Sequence, residues 1–219
     1  MELISVNIGQ ERRMPNAKPL GKTGIYKIPA SGPVQITRSG IPGDAICDTK
    51  HHGGADQAIY IYGEPDYQWW SATLGWEISP GTFGENLSIR GLESARLCIG
   101  DLLHAGGVTL QVTSPRMPCV TLVVRMQDPA FSERFCQAER PGLYCRVLQE
   151  GQVQAGDPVQ LEAYTGDTVT ILEMFRDHHA PGLDEAKLRR YLAMPLGMRA
   201  RVEKEKQLRK VLSYGTIGK

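Results

Sequence analysis

Short apolar or alternating runs, separated by glycine, proline and aspartate, fill the chain up to about residue 162. Residues 58–62, Ala-Ile-Tyr-Ile-Tyr, are β-branched and aromatic and stop at Gly63, the composition of a strand. Residues 3–8, 86–89, 102–105, 108–113, 144–148 and 158–162 read the same way. In the first of these, Leu3, Ser5 and Asn7 alternate only weakly with Ile4, Val6 and Ile8. Gly100-Asp101 and Gly156-Asp157 supply tight turns ahead of two strands. Two helices interrupt the set. Residues 64–74 carry Tyr67, Trp70 and Leu74 at helical spacing with Pro65 in the first turn, and residues 128–138 open on Asp-Pro, a cap and a first-position proline. Many short strands between turns predict a mainly β fold with some α, built on a closed or nearly closed β-barrel. A parallel α/β sheet would show regular alternation of strands and helices instead.

The pattern changes near residue 163, where glycine thins out and helical spacing takes over. Three short helices are predicted, at 168–177, 184–192 and 197–212. The expected organisation is therefore a β-barrel domain over 1–162 and a small three-helix C-terminal domain over 163–219. In the first helix Val169, Leu172 and Phe175, or Ile171 and Phe175, share a face; the second opens on an Asp184 cap and an acidic first turn. The third sets Met198, Val202, Leu208, Val211 and Leu212 against a charged face of Arg199, Arg201, Lys204, Lys206, Arg209 and Lys210 with Glu203 and Glu205. That face reads as solvated, or as a contact for an acidic partner.

Composition narrows the class. With 25 Lys+Arg against 24 Asp+Glu, a net charge of +1, the chain is not a strongly basic nucleic-acid binder. Its 24 glycines and 14 prolines favour frequent turns over long helices. Five scattered cysteines with no CxxC pair read as reduced thiols in a cytoplasm rather than a disulfide framework. No stretch approaches the ~20 apolar residues of a membrane span, and residues 1–8 lack the basic and apolar regions of an export signal.

Three clusters hold residues suited to chemistry. Lys50-His51-His52-Gly53-Gly54-Ala55-Asp56-Gln57 places a lysine and two histidines before glycines that let backbone approach a ligand. Adjacent histidines face one metal only in a loop, since strand side chains alternate, so a zinc site is not implied. Gly81-Thr82-Phe83-Gly84-Glu85-Asn86-Leu87 is a glycine loop running into a strand. Ser114-Pro115-Arg116-Met117-Pro118-Cys119 is a proline-stiffened loop that sets Arg116 three residues from Cys119. A nearby guanidinium favours the thiolate, the form that acts as nucleophile or metal ligand. Cys47, Cys98, Cys136 and Cys145 read as ordinary packed or surface thiols.

Taken in order and with their intervals, these phrases, joined by Gly100-Asp101, Gly142-Leu143-Tyr144-Cys145-Arg146-Val147 and Gly156-Asp157, resemble the MOSC domain family, in particular its stand-alone bacterial YiiM branch. The resemblance covers residues 1–162, and the tail is similar to that branch's three-helix extension. It implies a β-barrel that binds the molybdenum cofactor (Mo-molybdopterin). The implied activity is reduction of N-hydroxylated compounds, such as 6-N-hydroxylaminopurine, hydroxylamines and amidoximes, to amines. On this resemblance Cys119 is the molybdenum ligand. Lys50, His51, His52, Gly53, Gly54, Gly84, Glu85, Asn86, Arg116 and Arg146 fall where cofactor contacts gather, and His51, His52 or Glu85 would deliver protons. The chain has no flavin, nicotinamide or iron–sulfur fingerprint, so electrons would come from a separate reductase, with the basic C-terminal face as the docking surface for an acidic flavoprotein. A cofactor or sulfur carrier without reductase activity and a Cys119–His hydrolase are the rival readings. Homodimer formation stays open.

Overall fold

The computed structural model describes residues 1–15, 21–180 and 182–215. Its strands are β1 (Glu2–Gly9), β2 (Arg12–Arg13), β3 (Lys22–Thr23), β4 (Lys27–Pro29), β5 (Val34–Ile36), β6 (Ile59–Gly63), β7 (Leu87–Arg90), β8 (Leu102–Ala105), β9 (Val108–Pro115), β10 (Leu143–Gln149), β11 (Gly151–Val153) and β12 (Val159–Glu162). The helices are α1 (Glu64–Leu74), α2 (Val120–Met126), α3 (Phe131–Ala138), α4 (Ile171–His179), α5 (Glu185–Ala193) and α6 (Met198–Gly215). The fold is mainly β with α, as expected.

Eight strands form one sheet in the order β12-β8-β9-β10-β6-β7-β1-β4. Every pair in it is antiparallel except β6/β7, which is parallel because α1 crosses between them. The sheet curls on itself, but its ladder does not close. Between β1 and the start of β12 the seam is a single Glu2–Pro158 bridge, with Leu3 N–H donating to Asp157 O at 2.9 Å and Val159 N–H to Met1 O at 2.9 Å. Pro158 has no N–H to extend the pairing. The weak alternation of β1 has its cause in a register shift between Leu3 and Ser5. It leaves Leu3 and Val6 in the aliphatic core and puts Ser5 and Asn7 in a buried polar chain, Ser5 Oγ to Asn7 Oδ1 at 2.6 Å and Asn7 Nδ2 to Ser88 Oγ at 3.1 Å.

Two helix boundaries differ from expectation. Asp128 accepts the Ala130 N–H on its carboxylate (2.9 Å) and the Phe131 N–H on its carbonyl (3.0 Å), so Asp-Pro makes a turn before α3 rather than its first turn. Thr170, not Thr168, caps α4, accepting from Glu173 N–H at 3.0 Å; Thr168 instead ties the preceding extended segment to Ile99 O. Asp184 caps α5 as expected, through Lys187 N–H at 2.7 Å. The short α2 escapes a sequence reading because four of the five residues in Val-Thr-Leu-Val-Val are β-branched, a strand composition.

Half of the expected basic face of α6 is taken up by contacts with the rest of the fold, while Lys206, Arg209 and Lys210 stay exposed. Arg199 Nη1 donates to Gln57 Oε1 (2.5 Å), Arg201 donates to Leu192 O and Met194 O at 2.9 and 2.8 Å, and Lys204 is only 4% exposed. Val169, Ile171, Met174, Tyr191, Met194 and Leu196 join the same aliphatic cluster as Leu3, Ile59, Ile61, Leu103 and Leu110 from the sheet, so the C-terminal helices pack on the sheet's aliphatic core. Among the described residues no helix is long and apolar enough to cross a membrane.

Candidate functional site

Strand alternation builds the site. On β6, Ile59 and Ile61 enter the aliphatic core while Tyr60 and Tyr62 enter an aromatic cluster with Tyr67, Trp70, Phe83, Phe131, Phe135 and Tyr144. In the β10 register Tyr144 stands opposite Tyr60 on β6 and Ser114 on β9, and the two tyrosine rings lie 5.1 Å apart. One residue past β9, Arg116 enters this aromatic layer and is 4% exposed. Its guanidinium lies 5.0 Å from the Tyr60 ring centroid and 6.0 Å from that of Phe135, and Nη1 donates to Phe83 O at 2.7 Å.

Cys119 follows as the N-cap of α2, with its carbonyl accepting from Leu122 N–H (2.9 Å) and Val123 N–H (3.2 Å). Burial pushes its thiol up, but the neighbouring His52 imidazole, the Arg116 guanidinium and the Leu122 N–H at the helix start outweigh it and bring the pKa down to about 6. The shift favours the thiolate at neutral pH. The other cysteines go the opposite way: burial raises Cys47, Cys98, Cys136 and Cys145.

The thiol opens on a pocket of ≈100 Å³ lined also by His52, Gly53, Gly84, Asn86 and Arg116. Residues without any motif signal complete it. Lys27 and Asp44 form a buried ion pair, and Asp44 also accepts from Gly9 N–H (2.8 Å) and Asn86 Nδ2 (2.9 Å). Burial, with help from Arg116, lowers the Lys27 amine against the pull of Asp44. Lys22, Gln57, Tyr60 and Tyr144 also face the pocket. Gln57 and Tyr144 stand inside the quoted phrases; Lys22, Lys27 and Asp44 lie in a stretch whose strands are two or three residues long, too short to show a period. Gly84 has φ +79°, and a Cβ there would lie 2.8 Å from Ile25 Cγ1, so this turn takes only glycine without displacing the pocket wall.

Other expected site residues lie elsewhere. Glu85 is fully buried behind the glycine loop, where one carboxylate oxygen accepts from Tyr67 OH and Gly81 N–H and the other has no hydrogen-bond partner among the described residues. Burial raises its pKa against those bonds, so it holds the loop rather than facing the thiol. His51 is exposed and pairs with Asp48 at 3.0 Å; Lys50 is exposed and outside the pocket lining. Arg146 faces the C-terminal helices, pairing with Asp56 (3.0 Å) and donating to Pro195 O and Leu196 O at 3.1 and 2.7 Å. Gly54 lines a second cavity that shares only the Gly53 and Gln57 walls with the first.

The fold agrees with relatives of the chain. Residues 48–160, from the His52 loop to β12, match the MOSC domain model. The chain belongs to the MOSC family. It is 30% identical over 174 residues to protein YiiM of Escherichia coli, covering 78% of this chain and 75% of that one. The crystal structure of YiiM from Geobacillus stearothermophilus superimposes with a TM-score of 0.79 at 28% identity, over 94% of this chain and 98% of that one. A protein named Reductase from the fungus Gibberella moniliformis is 34% identical over 143 residues, which are 64% of this chain and 25% of the fungal protein. MOSC domains are associated with binding of the molybdenum cofactor.

Proposed function

We propose that this MOSC protein is a molybdenum-cofactor-dependent reductase of N-hydroxylated compounds, taking electrons from a separate reductase. The observation that carries the reading is the Cys119 thiolate, lowered to about 6 beside His52 and Arg116 at the pocket wall. A thiolate is the soft ligand that a dithiolene-bound molybdenum accepts. Among the described residues no three His, Cys, Asp or Glu side chains converge on a metal, so a metal here would bring its other ligands with it.

The donor set suits such a group. Cys119 would hold the metal, and the pocket cations Lys22, Lys27 and Arg116, with the Gly53 backbone, suit the anionic phosphate of a pterin. A pocket of ≈100 Å³ that opens to solvent admits one end of the cofactor, with the remainder at the pocket mouth. When bound, the cofactor supplies two-electron exchange at molybdenum; the chain supplies ligand, orientation and electrostatics. Phe83, Tyr60 and Tyr144 wall the thiol side and limit water. His52, beside the sulfur at the pocket wall, is the group placed to hand a proton to a departing hydroxyl.

The same Cys119–His52 pair is the geometry of a cysteine hydrolase. In that chemistry a third group orients the base, and among the described residues no side chain takes that place behind His52. The deciding experiment is metal and pterin analysis of protein made in a cofactor-competent host, beside Cys119→Ala, with 6-N-hydroxylaminopurine and an artificial electron donor. Molybdenum and amine formation should both be lost in the variant. Unchanged reduction, or metal-independent ester cleavage that needs Cys119, defeats the reading.

A further inference from the structure

The second cavity lies across the 115–119 loop from the thiol: Pro115 and Met117 line it, while Arg116 and Cys119 line the first pocket. Its volume of ≈360 Å³ falls in the ≈300–1,000 Å³ range of small-molecule sites. Lys204 of α6 lines it and is 4% exposed, with its ammonium 4.9 Å from the Tyr191 ring centroid. Among the described residues that ring face is its one direct partner; no carboxylate, carbonyl or hydroxyl bonds it. An ammonium held by one ring face keeps its N–H donors open to a ligand.

The nearby carboxylates are engaged. Asp177 takes Lys187 (2.8 Å) and Tyr191 OH (2.7 Å), and Asp56 takes Arg146 and the Met198 N–H. Glu203 is exposed and accepts from Gln207 at 3.1 Å. Burial lowers the Lys204 amine, as expected for a cation lacking an acceptor, with Glu203 and Asp177 opposing the shift.

We propose that this cavity binds an aromatic carboxylate, with its carboxylate on Lys204 and its ring among Pro115, Met117 and Met174. Asp56 and Glu203 also line the cavity, which favours a singly charged group over a doubly charged phosphate. Methionine thioethers are adaptable and make favourable contacts with aromatic rings. The site needs neither the thiol nor a bound cofactor.

Calorimetry with 2-naphthoate and its neutral analogue 2-naphthamide tests this, together with NMR of protein labelled at the methionine methyls. The acid should bind wild type and Cys119→Ala alike, about tenfold or more tighter than the amide. Lys204→Met should erase that preference, and the Met117 and Met174 methyl signals of wild type should shift on binding. Equal affinity for acid and amide, binding that vanishes in Cys119→Ala, or no binding at millimolar ligand overturns the site. The wild-type acid–amide comparison and the methyl shifts decide the matter even where Lys204→Met does not fold.

Discussion

The two cores of this molecule face each other across one sheet and are built from different chemistry. The aliphatic side, Leu3, Val6, Ile59, Ile61, Leu103, Leu110 and Val112 with the C-terminal helices, has an interior held by close packing, with polar bonds kept to its margins. The aromatic side carries polar atoms inward and satisfies them. Tyr60 OH donates to Pro141 O (2.9 Å), Tyr62 OH to Arg140 O (2.7 Å) and Trp70 Nε1 to Tyr62 OH (2.7 Å). Only the second environment can keep a guanidinium buried, because ring faces and the Phe83 carbonyl replace the water that Arg116 loses. The aliphatic side therefore secures the fold, and the aromatic side sets the charge state of the thiol.

The sharpest way to separate the two sides is Cys119→Ser. A serine hydroxyl is at least as good a helix N-cap as the thiol, so thermal stability should hold. Reductase activity and molybdenum content should fall by more than the ~10–100-fold typical of residues that only support a ligand. Equal loss of stability would mean that the sulfur belongs to the fold. Next, Phe135→Ala removes a fully buried ring beside Arg116 and should cost about 3–5 kcal/mol in urea unfolding. It should also raise the pH at which Cys119 alkylates. A purely aliphatic cost, with the alkylation profile unmoved, would break the proposed link between this core and the thiol.

A smaller effect is expected from His52→Gln. In wild type, iodoacetamide labelling read by mass spectrometry should fall on Cys119 ahead of the other four thiols near neutral pH. Because the folded thiol is lowered to about 6, the thiolate prevails above that pH, and labelling should drop as pH falls through it. The variant should move this midpoint upward; an unchanged midpoint would leave Arg116 and the helix start as sufficient causes. The mildest substitution, Ile61→Val in the aliphatic core, should cost about 0.5–1.5 kcal/mol and leave the labelling profile untouched.

How much of this was legible in the sequence follows the same division. Strands bounded by Gly-Asp turns, such as β8 and β12, stand out because turn chemistry and alternation agree. Cys119, Arg116, His52, Gly84 and Asn86 sit in loops whose glycines and prolines mark them, and the fold brings them to one pocket. Glu85 and Arg146 stand inside the same phrases, yet they serve loop and helix packing. A local phrase does not tell which side of the backbone a polar group takes. Lys204 shows the converse. Along α6 it looks like one more solvated charge, and only the packing of Tyr191 from α5 decides that it is covered.

The strand β6 is buried at every position from Ile59 to Gly63. Inserting or deleting one amino acid ahead of it would send isoleucines into the polar compartment and phenols into the greasy one at the same stroke. Both compartments are thus locked to a single setting of this five-residue rod, and evolution must vary either one by exchanging side chains in place, never by sliding the backbone.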